Sequence, residues 1–259
     1  MIKKDSIRPN LLFLIFIFSL TITTVFGQEP DQLFKSAGEA YTSGDFKQAV
    51  ENYKQILAQG YEAEDLYFNL GNAYYKSGEI PSAILFYEKA LKLNPGNEDA
   101  RFNLQLANQK TVDKIEPVPE LAITAFWKKI VFSRKVDSWG WLTIQVLFLS
   151  FLFFAAYVLV NNILLKKIGF FGGLALFCTS ILFFILGYQQ KRMMNFDNHA
   201  IIYSSSLTAR SAPDQSGTKL FVVHEGTKVQ LLDSLSEWKK ISIPNGSIGW
   251  VKSEALEKI

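Results

Sequence analysis

Two apolar runs, roughly Trp141–Val160 and Ile168–Tyr188, are separated only by the stretch NNILLKK. Each has about the 20 residues that a ~30 Å hydrocarbon core demands of a helix, and a connection this short returns the chain to the side it left. The rest of the chain must therefore fold around a two-helix membrane hairpin, with everything before it and everything after it facing one compartment. No ionisable side chain falls inside either apolar span, which argues against an ion path, a proton relay or a transporter. Trp127, Trp139, Trp141 and Tyr188 suit anchoring at one interface.

The compartment is suggested by residues 1–27, expected to be a signal peptide: Lys3, Lys4 and Arg8 precede an apolar stretch from Leu11 to Phe26, with small residues at Val25 and Gly27. Cleavage after Gly27 is expected, an uncleaved anchor helix being the alternative. No cysteine stands near that point to be lipidated. Charge points the other way, because six basic residues (Lys128, Lys129, Arg134, Lys135, Lys191, Arg192) flank the hairpin on the exported side, against Lys166 and Lys167 in the loop. The signal acts first and decides the expectation: cytoplasmic (inner) membrane, with both folded modules on the periplasmic side.

Residues 28–117 carry 9 basic and 14 acidic side chains, residues 118–196 carry 8 and 2, and residues 197–259 carry 7 and 7. The basic excess thus hugs the apolar runs, as membrane-flanking charge does, and nothing reads as a nucleic-acid footprint. One cysteine, Cys178, within an apolar run, and two histidines, His199 and His224, leave little material for a disulfide framework, a metal cluster or a nucleophile–histidine pair. No catalytic, metal or cofactor residue is assigned.

Before the hairpin the chain repeats itself. Leu70-Gly71, Tyr74, Gly78, Ala83, Tyr87, Ala90-Leu91 and Pro95 set a register whose copy 34 residues upstream reads Gly44-Asp45-Phe46, Ala49, Tyr53 and Ile56-Leu57. A half-unit follows, with Leu104 at the spacing of Leu70. Small residues at Gly71 and Ala83 let paired helices approach, large ones at Tyr67, Leu70, Tyr74 and Tyr87 fill the space between pairs, and Pro95 stops the second helix. The pattern resembles the tetratricopeptide repeat (TPR) family, which implies two helix pairs and a closing helix near residues 98–110, within a helical domain spanning 28–112.

In that family the concave face of the array binds partners. Carried onto this sequence, it comprises Phe34, Tyr41, Phe68, Asn72, Tyr75, Lys76 and Phe102, with phenylalanine recurring every 34 residues. An aromatic groove for an extended or helical peptide is one reading. The other is that some of these rings are ordinary core. Asp31, Asp65 and Asp99 also recur at 34 and suit helix N-termini, and the lysines of a carboxylate-clamp chaperone site are missing there.

Residues 113–138 follow as a linker and interfacial segment. Pro117 and Pro119 favour an extended spacer, and Leu121–Trp139 mixes aromatic residues with lysines as a surface-lying segment does. The hairpin occupies 139–190. From 197 to 259 short alternating runs and turns suggest five strands in a small barrel, with Pro244-Asn245-Gly246 as a tight hairpin turn accepting positive φ. Leu207-Thr208-Ala209-Arg210-Ser211-Ala212-Pro213, Glu225-Gly226-Thr227-Lys228-Val229, Trp238 and Gly249-Trp250-Val251 resemble the bacterial SH3 family, with Thr208 and Ala212 departing from its usual pattern. Arg210, Trp238 and Trp250 form a candidate ligand platform there, core packing of at least one tryptophan being the alternative.

The expected fold class is a multidomain α + β membrane protein: a helical TPR array, a two-helix transmembrane hairpin and a small all-β SH3-like barrel. Signal peptide, short array, hairpin and SH3 module in that order resemble the BatE-type proteins of the Bacteroides aerotolerance (Bat) operons. That resemblance implies a non-enzymatic scaffold whose partners are other Bat membrane proteins with von Willebrand A-type domains, linked to aerotolerance or envelope stress. The alternative is an envelope sensor that binds peptidoglycan or cell-wall peptides through the SH3 domain.

Overall fold

Apolar residues at helical spacing build an antiparallel helix pair from α1 (Glu29–Thr42) and α2 (Phe46–Ala58), burying Ala37, Ala49, Val50, Tyr53 and Ile56 between them. The computed structural model describes residues 29–196 and 198–259, so the expected signal segment 1–27 lies outside the described residues. Asp45 caps α2, its carboxylate accepting from the Gln48 N–H at 3.0 Å. This pair belongs to one compact unit ending at Glu62, and residues 63–259 form a second.

The second unit opens with α3 (Glu64–Ser77), α4 (Ile80–Leu93) and α5 (Glu98–Asn108). The Leu70-Gly71 signal has a direct steric cause. A Cβ on Gly71 would stand 2.7 Å from the Tyr87 ring, so α3 and α4 can close only over glycine. Leu70, Ala73, Ala83, Ile84 and Tyr87 are buried in that contact. Gly78 ends α3 in a Schellman arrangement, in which the Gly78 N–H reaches the Tyr75 carbonyl and the Glu79 N–H the Tyr74 carbonyl. Asp65 and Asp99 lie in the first turns of α3 and α5, where they oppose the positive end of each helix dipole.

A short helix, α6 (Ala122–Val131), leads into α7 (Val136–Leu159) and α8 (Ile163–Phe196). The 24 residues of α7 span about 36 Å at 1.5 Å per residue, and both helices are long and apolar enough to cross a membrane. Glycines bring them together: Cβ atoms at Gly169 and Gly172 would stand 2.8 Å from the Phe153 carbonyl and 2.6 Å from the Phe153 ring. Ser150 Oγ donates to the Gly173 carbonyl at 2.8 Å across the same seam.

The connection between α7 and α8 is shorter than the stretch NNILLKK suggested. Asn162 caps α8 by accepting from the N–H groups of Leu164 and Leu165, so Ile163–Lys167 form helix rather than loop.

The C-terminal module has seven strands where five were expected: β1 (His199–Ile202), β2 (Leu207–Arg210), β3 (Lys219–Val223), β4 (Lys228–Leu235), β5 (Trp238–Ser242), β6 (Ile248–Lys252) and β7 (Leu256–Lys258). They form one antiparallel sheet in the order β3-β2-β6-β5-β4-β1-β7. Ala200, Ile202, Ala209, Val223, Val229, Ile241 and Val251 make its core. The terminal strands β1 and β7 pair with each other, Ala200 opposite Lys258 and Ile202 opposite Leu256. The β5–β6 turn also differs in detail. The Gly246 N–H closes onto the Ile243 carbonyl and only Gly246 has positive φ, +87°, so Pro244-Asn245 form a type I turn followed by a left-handed glycine.

Candidate interaction surfaces

On α3, Phe68, Asn72 and Tyr75 fall at i, i+4 and i+7 and share one face. The Asn72 carboxamide oxygen accepts two bonds, from the Tyr87 hydroxyl and from the Asn103 amide of α5, each 2.8 Å. Asn72 thereby joins all three helices. Phe68 packs tilted against Tyr87 with centroids 6.3 Å apart, while Lys110 Nζ stands 4.2 Å from the Tyr75 ring centroid, within cation–π range. Lys76 is exposed, and Phe102, next to Asn103, leaves 59% of its surface open. The structure thus brings Phe68, Asn72 and Tyr75 together and sets Phe102 on the neighbouring helix. In the first unit, Phe34 meets Tyr53 edge-on at 5.6 Å and Tyr41 meets Phe46 at 5.3 Å, so both rings contribute to closing α1 on α2.

In the barrel, register places Arg210 opposite Trp250 and Trp250 opposite Lys240, two residues along β5 from Trp238. Cross-strand partners share a face, so Arg210, Trp238 and Trp250 lie on the same side of the sheet. Their environments differ. Trp238 is 7% exposed, and Trp250 is half-buried. The Arg210 guanidinium donates to the carbonyls of Gln215 and Gly217, both at 2.9 Å, and so ties down the loop between β2 and β3.

The barrel is seated on the repeat helices, an arrangement with no local sequence signal. Ile201 of β1 is fully buried among Ala83, Ile84, Leu85, Tyr87, Leu104 and Ala107 of α4 and α5. Around it, Lys228 Nζ donates to Glu88 at 2.9 Å, Lys92 Nζ to the Ile259 backbone oxygen at 2.9 Å, and the Tyr203 hydroxyl to Ser82 at 3.3 Å. The expected spacer takes part as well. Asp113 accepts from the His224 N–H at 2.7 Å and the Thr227 hydroxyl at 2.8 Å, and its other oxygen lies 2.8 Å from His224 Nδ1. Ile115 packs on the barrel core, and the Val118 N–H reaches the Pro244 carbonyl at 3.0 Å.

Burial would raise the Asp113 carboxyl, but the bonds from His224 and Thr227, with the charge of His224, outweigh it and hold the carboxyl below its ordinary value. A second, partly buried carboxylate links the hairpin to the repeats. Glu64 accepts from Asn94 at 2.6 Å and Asn97 at 2.7 Å on one oxygen, and from Lys135 at 2.6 Å on the other. Here too burial raises the carboxyl, and the bonds from Lys135, Asn94 and Asn97 and the Lys135 charge together pull it below the usual range. Sequence reasoning did not foresee the contacts of Asp113 with His224 and Thr227 or of Glu88 with Lys228, because the partners lie more than 100 residues apart.

Both modules match known families. Residues 64–97 match the tetratricopeptide repeat and residues 205–257 the bacterial SH3 domain, while no curated protein matches the chain. Both are typically non-catalytic interaction modules, of the kinds that bind proteins or, for the SH3 type, peptidoglycan. The chain therefore carries a tetratricopeptide repeat and a bacterial SH3 domain, packed on each other beside two helices long enough to cross a membrane.

Proposed function

We propose that this protein is a membrane-anchored, non-enzymatic adaptor. It presents its repeats and its SH3 barrel together on the periplasmic side of the inner membrane, where they hold other membrane proteins. The order of modules supports placing it in a Bat complex with partners that carry von Willebrand A-type domains, in aerotolerance or envelope stress. The observation that carries the binding role is Phe102, a large ring 59% exposed beside the hydrogen-bonded Asn72–Asn103 pair. An aromatic ring flanked by amides offers a peptide both an apolar contact and main-chain hydrogen bonds.

Phe102→Ala is a cleaner probe than removing Phe68, which packs on Tyr87 and supports the α3–α4 contact. Crosslinking mass spectrometry on intact membranes, comparing Phe102→Ala with the natural chain at unchanged helical content, tests the reading. Loss of crosslinks between α3 or α5 and a neighbouring membrane protein is expected. Crosslinks of equal yield in the variant would refute the role of this face. The half-buried Trp250 opposite Arg210 favours a second reading, cell-wall binding by the barrel. Because Ile201 belongs to the repeat-side core, sedimentation with purified sacculi is better done on the intact chain in detergent than on an excised barrel.

A further inference from the structure

The helix α6 is amphipathic and is fixed to the end of the hairpin where the folded modules lie. Trp127 Nε1 donates to Gln189 at 2.9 Å, Trp139 Nε1 to the Val131 carbonyl at 3.2 Å, and Gln190 Nε2 to the Arg134 carbonyl at 2.8 Å. Val131, Trp139 and Leu186 form a small buried core beneath these bonds. One edge of the helix is thereby committed. The other edge is not: Ile123 is 77% and Phe126 64% exposed.

Counting back the ~20 residues that cross the hydrocarbon from Leu159 places the boundary near Gly140, immediately after Trp139. At that height α6 lies level with the headgroups. Of the cations there, Lys128 is paired with Glu120 and Lys135 with Glu64, both at 2.6 Å, and Lys129, Arg134, Lys191 and Arg192 are exposed as well. The Gln190–Arg134 hydrogen bond brings the backbone of Arg134 close to the residue that precedes Lys191.

We propose that this end of the hairpin is a binding surface for anionic phospholipid, with Ile123 and Phe126 immersed among the acyl chains and Lys129, Arg134 and Lys191 on the headgroup phosphates. The inference rests on the reading that α7 and α8 span a bilayer. Continuity with those helices names the occupant, and the basic side chains set its charge. Lys135, bonded to Glu64 of α3, also ties this end of the hairpin to the repeat–barrel unit.

The test uses the full chain in a Cys178→Ser background, reconstituted into vesicles of phosphatidylcholine alone or mixed with phosphatidylglycerol. Nitroxide labels are placed at Phe126→Cys and, separately, at Leu152→Cys in the middle of α7. The Leu152 label should be oxygen-accessible and shielded from aqueous relaxant in both vesicles; if it is not, the membrane reading itself fails. The Phe126 label should lie shallowly in the bilayer, and spin-labelled phosphatidylglycerol should be retained over phosphatidylcholine by about fivefold, the worth of a single cation near an anionic surface. In the K129E/R134E/K191E variant the preference should fall to unity. A Phe126 label that is water-exposed while Leu152 is buried in lipid, a label broadened by a second copy of the chain, or a lipid preference that survives charge reversal would overturn the proposal.

Discussion

Replacing Asp113 by alanine removes at once the acceptor for the His224 N–H, the Thr227 hydroxyl and the His224 ring. A hydrogen bond to a charged group contributes about 1.5–3 kcal/mol, and a buried N–H left without a partner costs about 1–3 kcal/mol more. The Asp113 side chain keeps 14% exposure, so water can reach part of the vacated site, and the bonds are not additive. A net loss of about 2 kcal/mol in the seating of the barrel is expected, equivalent to a roughly thirtyfold larger population of the locally open state. Hydrogen exchange reports it through the amides of His224 and Gly226 and of β1, while peptides from α2 in the first unit serve as the unaffected reference. Asp113→Asn keeps the shape and one acceptor and should fall between the two.

Acid should act in the same direction. The Asp113 carboxyl is held below its ordinary value when the barrel is seated, so the undocked state binds more protons as pH falls. The carboxylate's contribution is complete above the ordinary carboxylate range and is lost as pH drops through the lowered value. Exchange that changes less than threefold in Asp113→Ala, or acid protection unaltered by the mutation, would refute the assignment of Asp113 as the tie between spacer and barrel.

Gly71→Val should lower the melting temperature of the repeat helices, at a cost of about 1–3 kcal/mol or more, because its Cβ would stand 2.7 Å from the Tyr87 ring; circular dichroism of the intact chain measures it. Gly169→Leu should disrupt the hairpin, since the obstructing atoms are backbone at Phe153 and Tyr157 and cannot rotate away, and a loss of crosslinking between cysteines on α7 and α8 reports it.

The helical repeat at 64–97 was legible because its residues act locally. Gly71 and Tyr87 meet between consecutive helices, and Gly78 terminates its own helix. The pair α7–α8 was legible for the same kind of reason, since each apolar run is by itself long enough to cross a membrane. The seating of the barrel was not. Ile201 reads as one more apolar residue in a strand and Asp113 as one more acidic residue in a Pro-flanked spacer, and only the folded chain brings each to its partners on other elements. The pairing of β1 with β7 joins the two ends of the module, and no local pattern announces it. On the candidate platform, alternation places Arg210, Trp238 and Trp250 on one face but does not reveal that the Arg210 guanidinium is occupied by the Gln215 and Gly217 carbonyls.

The most direct test asks whether the repeats and the barrel lie on one side of a bilayer with the α7–α8 turn on the other. In a Cys178→Ser background, single cysteines at Lys110, Lys240 and Asn161 are treated in intact cells made permeable only at the outer membrane, using a membrane-impermeant maleimide. Labelling at Lys110→Cys and Lys240→Cys, with Asn161→Cys protected until the inner membrane is opened, is the predicted result. Labelling of one module without the other, or of Asn161→Cys together with both, would contradict it.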